Sequence, residues 1–340
     1  MTLNCNGFLN IGNTCYLNAC LQLLFNIPQV TEYFNSKSFI DEINQNFKSN
    51  KFKKNKEFLF IQQFYTLLKD YTQHNKKIFT PKNLLISILH INPIFRLHEQ
   101  HDSQEILLYM IDTLHENLKY DASVTFDGKS QNKTDVFVIE SIQALSSILN
   151  NKYSIIQKLF YGMYYNEFLS TEKSNYNEVI SKKYEHFNNL TMQFEGDNLE
   201  ENLHLFFQNE KMDCKIEYEK NKKKYYTQKT TQLVNMPPFL FITLKKYNFE
   251  KKKNNLNYTF PLHNLDLSQY CAGYDTFGCN YDLNGAICHE GSIDFGHYYC
   301  ILKKDQKWYI INDDVINLFN MDRNKKLLFQ NAYVLLYSKK

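Results

Sequence analysis

Nowhere in the 340 residues do two cysteines form a Cys-x-x-Cys pair, which excludes a zinc site built from such pairs. No charged-then-apolar segment opens the sequence, and no apolar run is long enough to span a bilayer. A location inside the cell, in cytoplasm, nucleus or both, is expected, with reduced thiols and no membrane partner. The net charge of +3 is too small to argue for nucleic acid or an anionic surface. Lysines cluster at Lys51–Lys56, Lys222–Lys224 and Lys251–Lys253, but Phe52 is the one aromatic among them and no glycine pattern accompanies them. Solvated loop tips explain these clusters better than a phosphate-binding track. No repeat period runs through the chain.

What is present is a chain that folds. Hydrophobic residues make up 43%, enough for a core, and the length allows one large domain or two ordinary ones. The first third reads as helices. Leu17, Cys20, Leu21 and Leu24 fall on one helical face, with Asn13 as the expected N-cap and Pro28 as a stop. Glu57–Tyr71 is the next helix, and Thr80-Pro81 opens another. A fourth carries Leu107, Met110, Ile111, Leu114 and Leu118, with Asp102 and Glu105 spaced as a capping box. Tyr120–Asn151 is polar and poorly periodic until Val136. Ile155–Val234 reads as an insertion of extended strands with long tips, such as Lys215–Tyr218, and one short helix over Asn198–Phe207.

The last third reads as strands: Phe239–Tyr247, Tyr281–His289, Gly296–Lys304, Lys307–Asp313 and Asn331–Lys339, separated by Gly, Asp and Asn turns. Helices first and an antiparallel, twisted sheet last is an α+β order.

The chemistry centres on Cys15. It follows Gly12-Asn13-Thr14 and falls in the first turn of its helix, where unpaired N–H groups and the helix dipole favour a thiolate. For a cysteine taken alone, structural burial is the commoner reading; a partner near the other end of the chain changes that. His297 opens one strand after Gly296, and Asn312 and Asp313 end the next. A turn near Asp305 brings an amide or carboxylate oxygen beside the imidazole, which completes a Cys–His–Asn or Cys–His–Asp arrangement.

GFLNIGNTCYLNACLQ (Gly7–Gln22) resembles the cysteine box of the ubiquitin-specific proteases, and GHYYCILKKDQKWYIINDDVIN (Gly296–Asn317) resembles their histidine box. QHDSQE (Gln100–Glu105) is similar to the start of the family's thumb helix. PPFLFITLKKY, FPLHNLDLSQY and YDLNGAICHEG follow its palm segments in order. The resemblance runs from Gly7 to about Tyr337.

It implies a papain-like α+β fold in a single catalytic domain over 1–340. Residues 1–120 would form mainly a helical thumb, 155–235 a β-rich fingers insertion and 236–340 mainly an antiparallel palm. It further implies a thiol-dependent deubiquitinase, acting as a monomer without a cofactor on ubiquitin or ubiquitinated proteins. Position by position, Cys15 would be the nucleophile and His297 the general base, with Asn312 orienting it and Asp313 in support. Asn10 would donate to the oxyanion. Gln100 and Asp102 would hold the ubiquitin tail, with Gly296 and Tyr298 lining its channel and His289 on an adjoining loop. Because Asp102 is also a cap, both roles are compatible only with one oxygen free.

Two departures stand out. The family's fingers commonly carry two Cys-x-x-Cys pairs; here Phe160–Ser174 has no cysteine, and the later position keeps Cys214 with Glu217. No metal is expected, and the fingers must be held by packing. The usual Lys-Arg-Phe at the end of the palm strand is Lys245-Lys246-Tyr247. The alternatives are a non-catalytic ubiquitin-binding scaffold, against which all the catalytic residues are present, and a protease for another Gly-Gly-tailed modifier.

Overall fold

Eleven residues, Cys15–Phe25, form a helix in which every side chain is buried, not only the apolar face read from the sequence. The helix packs between the helix Ser103–Leu118 and the strand Gly296–Lys304, so it has no solvent side. Burial of its polar residues is offset by specific partners: Gln22 donates to the Asn6 carbonyl at 2.8 Å and accepts from the Tyr71 hydroxyl at 2.9 Å. The computed structural model describes residues 5–37, 39–41, 56–73, 77–246, 258–292 and 295–340.

The chain divides into two compact units. The first contains the described residues of Met1–Leu118, Thr243–Asn257 and Asn284–Leu336. Pro28 does more than stop the first helix, which ends at Phe25: it sits in the first turn of a second one, Pro28–Phe34, where its missing N–H is not needed. Helices Lys56–Gln73, Lys82–Ile91 and Ser103–Leu118 follow as expected. Pro81 rather than Thr80 is the cap of the middle one, its carbonyl accepting from Leu85 N–H at 2.9 Å.

The strands of this unit lie in the order Val315–Leu318, Lys307–Asn312, Gly296–Lys304, Asn280–Gly291, Ala332–Lys339 and Phe239–Lys245, the last three running on into the second unit. Tyr247, expected to end the last of these, lies outside the described residues. The hairpin Gly296–Lys304/Lys307–Asn312 pairs Lys304 with Lys307 across Asp305 and Gln306, both at positive φ (48° and 61°), as a two-residue turn of matching twist requires.

A helix over Met321–Asn331, not read from the sequence, is capped by Asn320, which accepts from Arg323 N–H at 3.1 Å. At its other end the buried Lys246 ammonium donates to the carbonyls of Phe329 and Gln330 at 3.2 and 2.7 Å, a cation on free C-terminal carbonyls.

The second unit contains the described residues of Lys119–Ile242, Tyr258–Leu283 and Tyr337–Lys340. Its sheet, in the order Val179–Phe187, Gly162–Ser170, Thr227–Val234 and Glu210–Lys211, is the strand-rich insertion read from the sequence. Aromatic pairs cover it: Tyr164 with Phe187 at 4.6 Å, Tyr165 with Tyr184 at 5.0 Å and Phe137 with Tyr165 at 4.9 Å between ring centres. The Lys215–Tyr218 alternation shrinks to the two-residue strand Ile216–Glu217, paired with Lys224–Tyr225.

The segment read as aperiodic holds a helix, Lys133–Ile148, with a full capping box: Asp135 N–H donates to Asn132 at 2.9 Å and Asn132 N–H to Asp135 at 3.2 Å. Only Ser141 of that helix is fully buried; Phe137 and Leu145 pack, partly buried, against Met163, Tyr165 and Val234. Ile155–Phe160, expected as strand, is a short helix capped by Ser154. Leu199–Phe206 is helical as expected. Cys214 and Glu217 are both exposed, and among the described residues no group of three or more His, Cys, Asp and Glu is placed to hold a metal.

Candidate active site

Cys15 is the first residue of its helix and is buried. The cap is Thr14, not Asn13. Asn13 is instead held in the left-handed region (φ 55°), its amide donating to the His98 carbonyl at 2.7 Å, so it shapes the loop rather than closing the helix. Asn10 closes the loop: its Oδ1 accepts from the N–H groups of Gly12 and Thr14 at 3.1 and 3.2 Å and from the Thr14 hydroxyl at 3.3 Å.

The hairpin brings in the second group. Its ladder ends at Cys300 and Ile311, and beyond it His297 Nε2 meets Asn312 Oδ1 at 2.6 Å. The Cys15 side chain is the group that acts most strongly on the ring. With Nε2 taken by Asn312, Nδ1 is the nitrogen that faces the sulfur. Cys15 does most to raise the His297 pKa to about 9; burial opposes it, and the Asn312 bond and the negative charge of Asp313 add to it. At neutral pH the ring therefore holds a proton against the sulfur, the arrangement an activated cysteine needs.

Asp313 stands behind this pair. Its Oδ2 is 3.8 Å from His297 Nε2, too far for a hydrogen bond, so Asn312 is the direct partner of the ring. The carboxylate is held by two amides, Asn10 Nδ2 at 2.9 Å and Asn18 Nδ2 at 2.8 Å. Asn10 thus spends one of its two amide hydrogens on Asp313, and the other is left over. Asn18 was not picked out from the sequence. Its spacing of three from Cys15, which puts both on one side of the helix, was the available signal. The Asp313 backbone is clamped as well: its carbonyl accepts from Phe8 N–H at 3.0 Å, and a Cβ on Gly7 would lie 2.9 Å from that oxygen.

The residues expected to hold a tail gather around a cavity of about 640 Å³, lined by Gln100, Asp102, His289, Tyr298 and Tyr333 among others. Gly296 borders it. The Gln100 amide donates to the Gly296 carbonyl at 2.9 Å and accepts from its N–H at 3.4 Å. A Cβ on Gly296 would meet His289 Nε2 at 1.9 Å, so only glycine fits. His289 is largely buried, with its ring 4.5 Å from that of Tyr298 beside it in the cavity wall.

Asp102 caps its helix through Oδ1, which accepts from Gln104 N–H at 2.6 Å and Glu105 N–H at 3.4 Å. Its Oδ2 is not free, since the Tyr333 hydroxyl donates to it at 2.6 Å; a second lone pair of that oxygen is what remains for a ligand. Nothing in the sequence singled out Tyr333.

The sequence model of the ubiquitin carboxyl-terminal hydrolase family matches residues 6–337. The chain belongs to that family. Among its curated relatives is human "Ubiquitin carboxyl-terminal hydrolase 3", 26% identical over 97% of this chain and 67% of the relative. Another is "Ubiquitin carboxyl-terminal hydrolase 5" of Saccharomyces cerevisiae, 26% identical over 98% of this chain but 44% of the relative. Of solved structures, the "SAGA Ubp8/Sgf11/Sus1/Sgf73 DUB module bound to ubiquitin aldehyde" covers 98% of this chain and 69% of its own at a TM-score of 0.69 and 19% identity. The last likeness is one of fold. The papain-like α+β fold of ubiquitin carboxyl-terminal hydrolases is therefore the fold of this chain, as its two boxes implied.

Proposed function

We propose that this protein is a cysteine deubiquitinase that hydrolyses the isopeptide bond after the terminal Gly-Gly of ubiquitin. The observation that carries the reading is the His297–Asn312 bond of 2.6 Å, which aims the imidazole at Cys15 on the first turn of its helix. The Cys15 sulfur attacks the carbonyl carbon of the last glycine. The oxyanion is met by the Cys15 backbone N–H, unpaired at a helix start, and by the second amide hydrogen of Asn10. His297 passes its proton to the departing lysine amine, leaving a thioester. It then takes a proton from water as that attacks, and the sulfur leaves as a thiolate beside the charged ring, restoring the starting pair. Asn312 keeps the ring in plane throughout.

The substrate class follows from the channel. Gly296, with no room for a side chain, suits a tail of glycines. The remaining acceptor capacity of Asp102 suits the tail's arginine. The protein acts as a monomer inside the cell, on ubiquitin rather than on nucleic acid or membranes. Ubiquitin carrying a C-terminal electrophile is expected to form an adduct at Cys15, and Cys15→Ala to abolish turnover while ubiquitin still binds. A binding scaffold would give no adduct. A protease for a related modifier would prefer that modifier in direct competition at equal concentration.

A further inference from the structure

In the second unit, away from the residues described above, two buried cysteines face one another: Cys271 and Cys279, eight positions apart in sequence. The backbone folds them together. Leu267 N–H donates to the Cys279 carbonyl at 2.9 Å, while the Cys271 thiol lies 3.3 Å from the Leu267 carbonyl. Ser268 joins both, its carbonyl accepting from Cys271 N–H at 3.1 Å and its hydroxyl from Cys279 N–H at 3.0 Å. The two side chains lie within electrostatic reach of each other, and the Cys271 thiol donates its hydrogen to the Leu267 carbonyl.

A cation stands over the pair. Lys340 N–H donates to the Asn280 carbonyl at 3.0 Å, which places Lys339 alongside Cys279. The Lys339 ammonium is fixed at 2.8 Å from Asp275, in the loop that joins the cysteines. Beside that loop is a cavity of about 200 Å³ lined by Ala272, Tyr274, Asp275, Val234, Asn235 and Met236 among others. It is several times the roughly 30 Å³ share of a water molecule, so a small peroxide fits.

We propose that Cys271 and Cys279 are a peroxide-reactive dithiol that closes reversibly to a disulfide. The roles differ. The interaction with Cys271, with help from Lys339 and against burial, holds Cys279 below the ordinary thiol range, whereas Cys271 is held above it. The Cys279 thiolate attacks one oxygen of hydrogen peroxide; the S–O bond forms, the O–O bond breaks, and hydroxide leaves to take a proton as water. Cys271 then gives up its proton and attacks the Cys279 sulfur; the S–S bond forms and the S–O bond breaks, releasing a second water. Two thiols are oxidised by two electrons and one peroxide is reduced to two waters. A thiol reductant reverses the step. The sulfurs must close to about 2 Å.

The test treats the whole chain with hydrogen peroxide, alkylates free thiols under denaturing conditions and digests with chymotrypsin without reduction. Chymotrypsin separates Cys271-Ala272-Gly273-Tyr274 from Gly278-Cys279-Asn280-Tyr281 unless a disulfide joins them. The joined pair, lost on dithiothreitol treatment, is the expected product. Full alkylation of both cysteines at a dose that oxidises the exposed Cys214 overturns the proposal. Cys271→Ser removes the resolving thiol, and dimedone is then expected to trap a sulfenic acid at Cys279. A folded Cys271→Ser protein whose Cys279 resists peroxide overturns it equally; where that variant does not fold, the wild-type digest decides.

Discussion

Asn18, one turn beyond Cys15 on the same buried helix, donates to the Asp313 carboxylate at 2.8 Å, while Asn10 on the other side of Cys15 donates to its second oxygen at 2.9 Å. Both walls of the cysteine loop are thus tied to the residue that follows Asn312. The carboxylate holds the Asn10 amide in place and leaves the imidazole to Asn312.

Removing Asn18 leaves a carboxylate with a side chain only 10% exposed short of one donor. Asn18→Ala is expected to cost about 1–3 kcal/mol of stability, the penalty for an unmatched buried polar group. Activity is expected to fall about tenfold through kcat, because the loop that presents Cys15 loosens. Denaturant melts and steady-state assays on a fluorogenic ubiquitin check both; an unchanged melt contradicts the bridge.

His297 supplies a pH dependence with a definite sign. Its pKa rises from 6.5 to about 9 on folding. Below 6.5 the ring is charged in both states and its contribution to stability is complete. Between 6.5 and about 9 only the folded protein holds the proton, so that contribution drains away as pH rises, and it is gone above. The wild type is expected to lose more stability over this window than His297→Gln, as melts at fixed intervals of pH will show. The alkaline limb of kcat/KM is expected near 9.

Gly296→Ala forces its methyl onto His289 Nε2 and displaces the neighbouring His297. Activity is expected to fall at least a hundredfold. His289→Ala opens space under the new methyl, so the double variant should recover part of the loss. A double variant no better than Gly296→Ala would assign the defect to something other than this collision.

Asp102→Asn keeps the cap oxygen, reverses the Tyr333 bond so that the new amide donates to the hydroxyl, and removes the charge offered to an arginine. KM for ubiquitin substrates is expected to rise about tenfold with kcat little changed, in line with roughly 1.5 kcal/mol for a hydrogen bond to a charged group. Equal loss in kcat would place Asp102 in the chemistry instead of in tail binding.

The parts that could be read from sequence were those written in local pattern. The helical spacing around Leu107–Leu118 and the turn between Lys304 and Lys307 placed a fourth helix and the His297–Asn312 pair correctly. What escaped was set by contacts distant in the chain. The helix Lys133–Ile148 is largely half-exposed, and the polar run up to Val136 hides its start. The Asx cap assigned to Asn13 is taken from it by His98, and the oxygen of Asp102 expected free is taken by Tyr333. Each competitor lies tens or hundreds of residues away, beyond the reach of periodicity or spacing.

The bonds from Asn10 and Asn18 to Asp313 join residues 303 and 295 positions apart. During synthesis the cysteine end leaves the ribosome long before Asn312 and Asp313 exist, and contacts of such separation form late because loop closure precedes any return from them. A nascent chain therefore carries the nucleophile without its base or the anchor of its loop. Hydrolytic activity is switched on by the completion of folding itself, and a chain interrupted before the final hairpin is harmless to conjugates around it.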